Sequence, residues 1–442
     1  MKIFARIFTF TFTLISTLIL TTLLILFSSC SDSGHFLFED PYFFHSVEPS
    51  RYPVFFESDP MQLAMFEPVL GTFIGMHSDA LPNLDDRVIG PLESYLGVSH
   101  ATFMEVMYLG DDFPFLWVLE CIAGQKAPVI VIQPGPDSDP FGSHWEEILT
   151  ETATQFAELP VPMFVVFYPV PANSGWDPAI YIAFFRYARA LFADLAPHAA
   201  FIWAVDGELE NYMDFFPGNL AADWVGISLF ASSYNIMAAQ MSATIEATTK
   251  ATIGATTLEI PDQFLSFYHS FQKEFPIMLN VGLSHFSTKD HRYRISETAA
   301  ALEQLYGLIQ RDFPRIKMVN YMDLNQLDYN GQDYRISVDT ALRSAYRDSI
   351  QGFITEMPQN FDDALVPQPI RSAYTAFVKE GRIYLDIRIL TEGIPGSIIN
   401  REGYLDKNRS RSMSEWLDGA WRINANHLPI RARVYQGHVR IS

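Results

Sequence analysis

The stretch VPMFVVFYPVPANSGWDPAIYIAFFRYARALFADLAPHAAFIWAVDG, residues 161–207, contains the pattern that decides the fold. Two apolar runs rich in Val, Ile and Phe flank a segment with helical spacing. In that segment Asp177 is suited to cap a helix, Pro178 suits the first helical position, and apolar residues recur on one face: Tyr181, Phe184, Phe185, Ala188, Leu191, Phe192 and Leu195. Such a unit predicts two parallel strands joined by a crossover helix.

The same alternation of apolar runs and helical segments extends over most of the chain. Eight runs have the length and composition of buried strands, and they begin near residues 69, 100, 127, 161, 199, 223, 275 and 316. Eight strand–helix units predict an α/β fold, the (β/α)8 TIM barrel, whose active sites lie at the C-terminal ends of the strands. An open doubly wound sheet is the competing fold, but no Gly-rich phosphate turn follows the first run.

Composition and charge limit the partners. The 442 residues are 49% hydrophobic, which allows a large core and two or three domains. A formal net charge of −21 argues against nucleic acid as a partner, because the phosphate backbone is repelled. Residues 364–442 differ, with 12 Lys and Arg against 7 Asp and Glu and an alternation of apolar and polar residues. We therefore predict a barrel at 61–357 and a small, all-β, sandwich-like module at 364–442, with the oligomeric state undefined.

The first thirty residues predict export. Lys2 and Arg6 precede a long apolar run at 7–27, and small residues lead to Cys30. The segment resembles a bacterial lipoprotein signal, although Phe27 stands where Leu is usual. This resemblance implies a signal peptide at 1–29, a linker at 30–60, and a lipid anchor on Cys30 in the cell membrane or outer membrane, facing the periplasm or exterior. An uncleaved membrane anchor is the alternative, because residues 7–27 are nearly long enough to span a bilayer.

Three segments carry a family resemblance: CIAGQKAPVIVIQPGP at 121, FFPGNLAADWVGIS at 215 and FPRIKMVNYMDLNQLDYNGQDYRIS at 313. In this order they resemble glycoside hydrolase family 26, whose best-known members are β-mannanases, over much of residues 67–355. The resemblance implies a barrel and a retaining mechanism, with one carboxylic acid that protonates the leaving oxygen and a second carboxylate about 5 Å away that attacks. No cofactor and no metal are predicted.

Both catalytic glutamates of that family are missing from their expected places. FYPVPANSGW, residues 167–176, aligns with the end of the family's fourth strand and has Pro171 at the acid/base position. PIMLNVGL, residues 276–283, aligns with the seventh strand and has Val281 at the nucleophile position, with Asn280 beside it. Neither Pro nor Val can donate a proton or attack an anomeric carbon. Whether the chain is an enzyme therefore stays open.

Other carboxylates are candidates for relocated catalytic groups. Asp206 and Glu208 lie with Glu210 in VDGELEN, just after the fifth predicted strand. Glu105 and Asp323 lie on predicted strands two and eight. A solvated surface or an ion site is the alternative interpretation of the alternating carboxylates. Cys121, in an apolar helical segment, is expected to be a buried thiol.

Aromatic and amide side chains near the predicted strand ends are candidates for sugar binding. Aromatic faces in a concave site suit the flat faces of pyranose rings. Core packing is the alternative for the aromatic residues. His285 is interpreted as a groove or surface residue, because its spacing to Asp290 and His291 matches no standard zinc signature. The predicted ligand-binding residues are Tyr168, Asn173, Trp176, Trp203, Tyr234, Asn280 and His285.

The leading hypothesis is an exported, lipid-anchored, glycosidase-like barrel that binds a mannan-like β-linked polysaccharide or an envelope glycan and is catalytically impaired, a pseudoenzyme. One alternative is an active retaining β-glycosidase with relocated carboxylates. The other is a non-enzymatic structural or interaction protein of the cell envelope, in which side chains fill the barrel mouth. An open, acidic, aromatic groove favours the first two hypotheses, and a filled mouth favours the third.

Overall fold

The structure is a computed structural model. It describes residues 50–56, 60–79, 89–135, 141–142, 144–231, 261–289, 291–379, 382–386, 388–389, 414–417, 420–424, 432–435 and 438–441. The predicted signal peptide with Cys30, and also Tyr234, lie outside these residues. Arg51–Phe377 and Arg382–Ser442 belong to one compact unit, which contains the barrel and the strands that follow it. The other unit is described only at Ser50 and at residues 378–379.

The described strands and helices alternate through the barrel and give way to strands alone near the C-terminus. In chain order the strands are β1 (Ser50–Phe56), β2 (Pro60–Gln62), β3 (Phe73–Ser78), β4 (Thr102–Tyr108), β5 (Ala127–Gln133), β6 (Met163–Phe167), β7 (Ala199–Asp206), β8 (Trp224–Ala231), β9 (Ile277–Leu283), β10 (Phe286–Ser287), β11 (Arg292–Tyr293), β12 (Ile316–Asp323), β13 (Asn325–Gln326), β14 (Gln332–Asp333), β15 (Leu365–Pro367), β16 (Ile370–Lys379), β17 (Arg382–Asp386), β18 (Ser414–Leu417), β19 (Ala420–Asn424), β20 (Ala432–Tyr435) and β21 (His438–Ile441). The α-helices are α1 (Ile89–Leu96), α2 (Phe115–Ala123), α3 (Trp145–Ala157), α4 (Pro178–Leu195), α5 (Asp262–Phe271), α6 (Ile295–Asp312) and α7 (Thr340–Ser349), and a 3-10 helix covers Tyr212–Phe215.

Eight parallel strands close into a barrel in the order β3-β4-β5-β6-β7-β8-β9-β12. Each of the eight apolar runs predicted from the sequence contains one of these strands. Because β12 pairs with both β9 and β3, the sheet has no open edge, which excludes the doubly wound alternative. The predicted TIM barrel is confirmed.

Helix α4 shows why the local sequence folds as predicted. The Asp177 carboxylate accepts hydrogen bonds from the backbone N–H groups of Ala179 and Ile180 at 2.8 and 3.2 Å. These bonds satisfy two donors that a helix N-terminus otherwise leaves unpaired. The apolar face of the helix is buried against the barrel through Tyr181, Phe184, Phe185, Ala188 and Phe192. Capping and burial together fix the crossover between β6 and β7.

Side chains on the barrel strands alternate between two cores. One set fills the barrel interior and includes Phe73, Met104, Phe164, Trp224, Met278 and Met318. Their sequence neighbours pack outward against the helices and include Ile74, Phe103, Val165, Val225, Leu279 and Val319. This alternation follows from the two-residue period of a strand, and it makes the barrel a packed core rather than a pore.

The C-terminal strands form a seven-stranded sheet in the order β18-β19-β17-β16-β1-β21-β20. The all-β character predicted for the C-terminal region is confirmed. Strand β1 lies inside this sheet and pairs in parallel with β21, although its residues fall at the end of the predicted linker. Val54 and Phe56 of β1 are buried in one apolar cluster with Val439 and Ile441 of β21, and this shared burial holds β1 in place.

Among the residues that the structure describes, no helix combines the length and the apolar character that crossing a bilayer requires.

Candidate functional site

The C-terminal ends of the eight barrel strands, here called the mouth, are where a barrel of this kind positions functional groups. A small sheet of β11, β10, β14 and β13 follows β9 and β12 and stands on this end of the barrel. Along each strand, side chains point alternately into the barrel (inward parity) and out toward the helices (outward parity). A predicted site residue must have inward parity to reach a ligand at the mouth.

The segment after β6 has no carboxylate where the family's acid/base is expected. Tyr168 adopts a positive φ of 45°, and the chain then forms a bridge in which the Val170 N–H donates to the carbonyl of Ala204 at 2.9 Å. Pro171 and Asn173 follow on an exposed loop. Trp176 is half-buried and stacks on Tyr181 with a ring separation of 5.6 Å. Asn173 is therefore accessible, while one face of Trp176 is already occupied.

On β9 the pleat of the strand separates the two residues that aligned near the nucleophile. Val281 is 2% exposed and belongs to the core between barrel and helices. Asn280 has the opposite parity and lies inside the barrel, where its side-chain N–H donates to Ser228 Oγ at 3.2 Å. The residue that occupies the place of an inward-facing nucleophile is therefore Asn280, and its amide has no acid–base or nucleophilic chemistry to offer.

Asn280 is one member of a hydrogen-bonded chain across four strands. Asn320 Nδ2 donates to Asn280 Oδ1 at 3.0 Å, and Thr102 Oγ1 donates to Asn320 Oδ1 at 3.0 Å. Ser228 ends the chain on β8. Asn320 and Thr102 are fully buried, and Asn280 is 6% exposed. These amides therefore satisfy one another, as buried polar groups must.

Aromatic rings cover β9 beyond Asn280. A Cβ atom placed on Gly282 would lie 2.7 Å from a ring carbon of Phe230 and 3.1 Å from a ring carbon of Tyr334. The two rings meet edge to face at 5.2 Å. Only glycine leaves room for them at this point of the strand. Asn280, two residues earlier on the same side of β9, is 6% exposed and has both ends of its amide hydrogen-bonded within the barrel, so it is not an open ligand-binding amide as predicted.

Asp206, at the end of β7, is the mouth carboxylate with inward parity. Its carboxylate accepts a hydrogen bond from the Glu208 backbone N–H at 2.8 Å, which closes a tight turn. Burial raises the pKa of Asp206, and the hydrogen bond from Glu208 opposes part of that rise. Glu208 and Glu210 are exposed on the same turn. The turn thus presents three carboxylates from one side of the mouth.

The other two candidate carboxylates face away from the mouth interior. Asp323 is fully buried and accepts hydrogen bonds from Ser78 Oγ and from the Ser337 N–H, each at 3.0 Å. Burial raises its pKa. Glu105 has the outward parity of Phe103 and Met107. We conclude that Asp323 organises the loops after β3 and β12 and that Glu105 faces the surrounding helices.

The Cys121 thiol on α2 is buried, as predicted. Burial raises the pKa of this thiol well above its ordinary value, and the charges of Glu120 and Glu105 contribute further to the rise. A thiol that does not ionise is a poor nucleophile. Cys121 is therefore a core residue.

His285 is buried beneath the small sheet at the mouth. It is 2% exposed, its Nε2 lies 3.8 Å from the Asp333 carboxylate, and burial lowers its pKa. Arg335 takes the same carboxylate in a bidentate pair at 2.9 and 2.7 Å. His285 is thus neither an exposed residue nor an open sugar contact. Within the described chain no cluster of metal-ligating side chains is present.

Two predicted aromatic ligands are core residues. Trp203 is fully buried and packs between Phe216, Phe267 and Phe271 on the helix side of β7. Tyr168 is 2% exposed, and its ring stacks on Phe167. Because their faces are covered, neither can stack on a sugar ring, and core packing was the correct interpretation for both.

Exposed aromatic residues at the mouth come from positions that the sequence analysis did not select. Tyr108 and Phe230 lie at the ends of β4 and β8 and are 41% and 39% exposed. Tyr293 of β11 and Tyr329 of the turn between β13 and β14 are 67% and 88% exposed. Each of these four aromatic residues ends a barrel strand or lies in a segment that follows one. Their position after an apolar run is therefore the feature of the sequence that would have predicted them. Together with the Asp206 turn they give the mouth an aromatic and acidic surface.

The fold and this surface define the chain as a closed (β/α)8 barrel protein with exposed aromatic residues and a carboxylate-bearing turn at its mouth and with an additional β-sheet. No protein-family model matches the chain, and no curated protein matches it. Among solved structures it is similar to a mannanase of Bacillus subtilis, at 14% identity over 70% of this chain and 94% of the other, with a TM-score of 0.44.

Two further similar structures carry the family designation that the sequence segments suggested. A GH26 β-mannanase from Bacteroides ovatus is 12% identical over 67% of this chain and 93% of the other, with a TM-score of 0.47. GH26C from Muricauda is 12% identical over 66% of this chain and 91% of the other, with a TM-score of 0.49. The barrel assignment itself rests on strand order and register, and the roles of residues rest on the geometry of the mouth.

Proposed function

We propose that this protein is a glycan-binding barrel of the glycosidase type that holds a mannan-like β-linked polysaccharide or an envelope glycan at its mouth and does not cleave it efficiently. The proposal includes export and a lipid anchor on Cys30, which would hold the barrel at the cell surface or in the periplasm. One observation carries the functional part: the interior residue at the nucleophile position is Asn280, which is nearly buried and is hydrogen-bonded into a chain of polar side chains.

Retaining hydrolysis needs two carboxyl groups that face each other across the scissile bond. The loop after β6 offers Pro171 and Asn173, and β9 offers Asn280, so neither expected side of the mouth supplies a carboxylate. Asp206 and Glu208 are two residues apart on a single turn. Groups on one turn approach a sugar from the same side. They cannot easily act as acid and nucleophile on opposite faces of one ring.

Binding has different requirements from cleavage, and the mouth meets them. Tyr293 and Tyr329 present free aromatic surface, Asn173 presents an exposed amide, and the Asp206 turn presents carboxylates that can accept hydrogen bonds from sugar hydroxyls. None of these contacts needs an ionised catalytic pair.

One observation favours the second candidate, an active β-glycosidase. The raised pKa of Asp206 is a property expected of a general acid. This candidate would still need a nucleophile or an activated water on the opposite side of the sugar. Hydrolysis assays on Asp206→Asn separate the two functions.

Binding is tested by affinity electrophoresis of the full chain on a panel of mannan, glucan and xylan. We expect retardation by at least one polysaccharide, and we expect Tyr329→Ala to weaken it about threefold to tenfold through lost ring contact. Leu220→Ala is the control, because Leu220 is fully exposed and precedes β8 at the other end of the barrel. Absence of retardation on every polysaccharide would refute the glycan-binding function.

The anchor is tested separately on the intact precursor. Cys30→Ala should abolish lipid labelling and release the protein from the membrane fraction, because one or more acyl chains account for membrane binding. Unchanged processing and membrane association would refute lipidation at Cys30.

A further inference from the structure

A cavity lies at the opposite end of the barrel, between the N-terminal strand ends, here called the foot, and the C-terminal sheet. Its volume is about 680 Å³, a size that suits a small molecule. Phe55, Val69, Ile309 and Phe353 contribute apolar walls. We call this space the foot cavity.

Lys317 of β12 lines the foot cavity, although it is only 4% exposed. The register between β12 and β9 shifts at this point: Ile316 pairs with Ile277 and Met318 pairs with Met278, so Lys317 has no opposite residue. A bulge of this kind redirects a side chain out of the regular pleat. Lys317 is thus placed at the cavity wall by a specific irregularity of the barrel.

Within the described chain the Lys317 Nζ makes no hydrogen bond and no close ion pair, and the opposite charge that acts on it is the carboxylate of Glu67. The nearby carboxylate of Glu67 is already taken by the Arg315 guanidinium. A buried cation that only a shared carboxylate compensates is costly, and proteins retain such groups where a ligand or a reaction uses them.

The charge of the cavity wall is uniformly positive. Arg440 of β21 also lines the space, and no Asp or Glu is found among the described residues that line it. An anionic group beside Lys317 would supply the missing counter-charge, while the apolar walls would cover an attached hydrocarbon or aromatic body.

We propose that the foot cavity is a binding site for a small amphipathic anion, a carboxylate with an apolar body, whose head group pairs with Lys317. This site is independent of the mouth and of the glycan-binding function proposed for it.

Affinity for such an anion should depend on pH through Lys317. Burial lowers the pKa of Lys317 to about 8, while Glu67 opposes this change and Arg315 reinforces it. Arg440 is the remaining charged group on the cavity wall. The anion binds the ammonium form, so affinity should fall about tenfold between pH 7 and pH 9.

The test is calorimetric titration of the full chain in a non-ionic detergent with 4-phenylbutyrate, against a detergent blank. We expect saturable binding that weakens at least tenfold in Lys317→Met and is retained in Lys317→Arg. Lys289→Met is the matched control, because Lys289 is exposed on a loop at the mouth. The neutral analogue 4-phenylbutan-1-ol and inorganic phosphate should each bind at least tenfold more weakly than 4-phenylbutyrate.

Several results would overturn the proposal. They are no saturable binding to the wild type, equal binding by Lys317→Met, or equal binding of the neutral alcohol or of phosphate. Val69→Trp tests the site without altering the charge, because the larger ring would occupy cavity volume. It should reduce affinity for 4-phenylbutyrate, and unchanged affinity would place the ligand elsewhere.

Discussion

The mouth and the foot of the barrel differ in how they treat buried polar groups. At the mouth, the amides of Asn280 and Asn320 are bonded to each other and to Thr102 and Ser228. At the foot, Lys317 is buried beside a cavity, and its Nζ makes no hydrogen bond with any residue that the structure describes. At the mouth, Asn280 stands where a catalytic residue is expected, but its hydrogen bonds serve the fold. At the foot, where barrels of this kind seldom have active sites, the Lys317 charge is free to interact with a ligand.

The largest expected effect concerns the buried ion pair at the foot. Arg315 and Glu67 are each 1% exposed and bonded to each other, so Arg315→Met leaves an unpaired buried carboxylate. We expect a loss of about 4 kcal/mol in the free energy of unfolding, measured by urea denaturation. Arg292→Met is the control from the mouth, because Arg292 is 65% exposed and its pair with Glu297 should contribute less than about 1 kcal/mol. Equal losses of stability in the two variants would show that the buried ion pair at the foot contributes no more than the exposed pair at the mouth.

The next prediction is a gain in the free energy of unfolding, on substitution of Lys317. Since the pKa of Lys317 is about 8 in the fold and close to 10.5 when unfolded, the unfolded chain binds more protons between these values, and stability rises with pH there. Below pH 8 the buried charge costs about 3 kcal/mol, so Lys317→Met should stabilise the protein by up to that amount at pH 7. The gain should disappear above about pH 10.5.

Denaturation of wild type and Lys317→Met at pH 7 and pH 10.5 measures this difference. A stabilising substitution at Lys317 would mean that the lysine is kept at a cost to stability, as functional groups often are. If Lys317→Met destabilises the protein at pH 7, Lys317 has a structural partner, and the contrast between foot and mouth is lost.

A smaller loss is expected in the amide chain at the mouth. Asn320→Ala removes the acceptor of Thr102 and the donor to Asn280, both in fully or nearly fully buried positions. We expect a loss of about 2 kcal/mol, because each remaining group is left unsatisfied. The double variant Thr102→Val with Asn320→Leu should lose less than the sum of its single variants. Strict additivity would show that the chain does not act as a unit.

The smallest effect concerns Asp206. Its pKa is raised by burial, so the folded state binds more protons than the unfolded state just above the ordinary carboxyl pKa, and wild-type stability falls as pH rises through that window. Asp206→Asn should therefore be slightly more stable than wild type at pH 7 and no more stable at pH 3. Thermal unfolding at the two pH values measures the change. A loss of stability at pH 7 would indicate a structural role for the carboxylate beyond its hydrogen bond from Glu208.

The barrel could be predicted because its strands are buried on both faces and read as continuous apolar runs between amphipathic helices. Because both faces of these strands are apolar, the sequence does not show which side chains point into the barrel and which point toward the helices. In AAFIWAVDG nothing in the polarity pattern shows that Trp203 faces the helices while Asp206 faces the interior. A shift of one residue reverses every side chain on a strand, and for this reason Val281 and Asn280 could not be separated before the pleat was known.

Other features needed contacts between distant segments. The ring contact over Gly282 combines Phe230 of β8 with Tyr334, which follows the small sheet, and no local pattern joins them. The foot cavity needs a strand bulge at Lys317 and the pairing of β1 with β21. A lysine within the apolar run IKMVNYMDL was visible in the sequence, but its cavity was not.

The central claim is that the mouth binds a glycan without a working pair of carboxylates. Product analysis on mannan, glucan and xylan, with an active β-mannanase as the control for the mannan substrate, tests it most directly. We expect no products above background from the wild type, and no difference between the wild type, Asp206→Asn and Glu208→Gln. Robust cleavage by the wild type that is abolished in Asp206→Asn or in Glu208→Gln would show that the mouth is catalytically competent and would identify the relocated catalytic carboxylate.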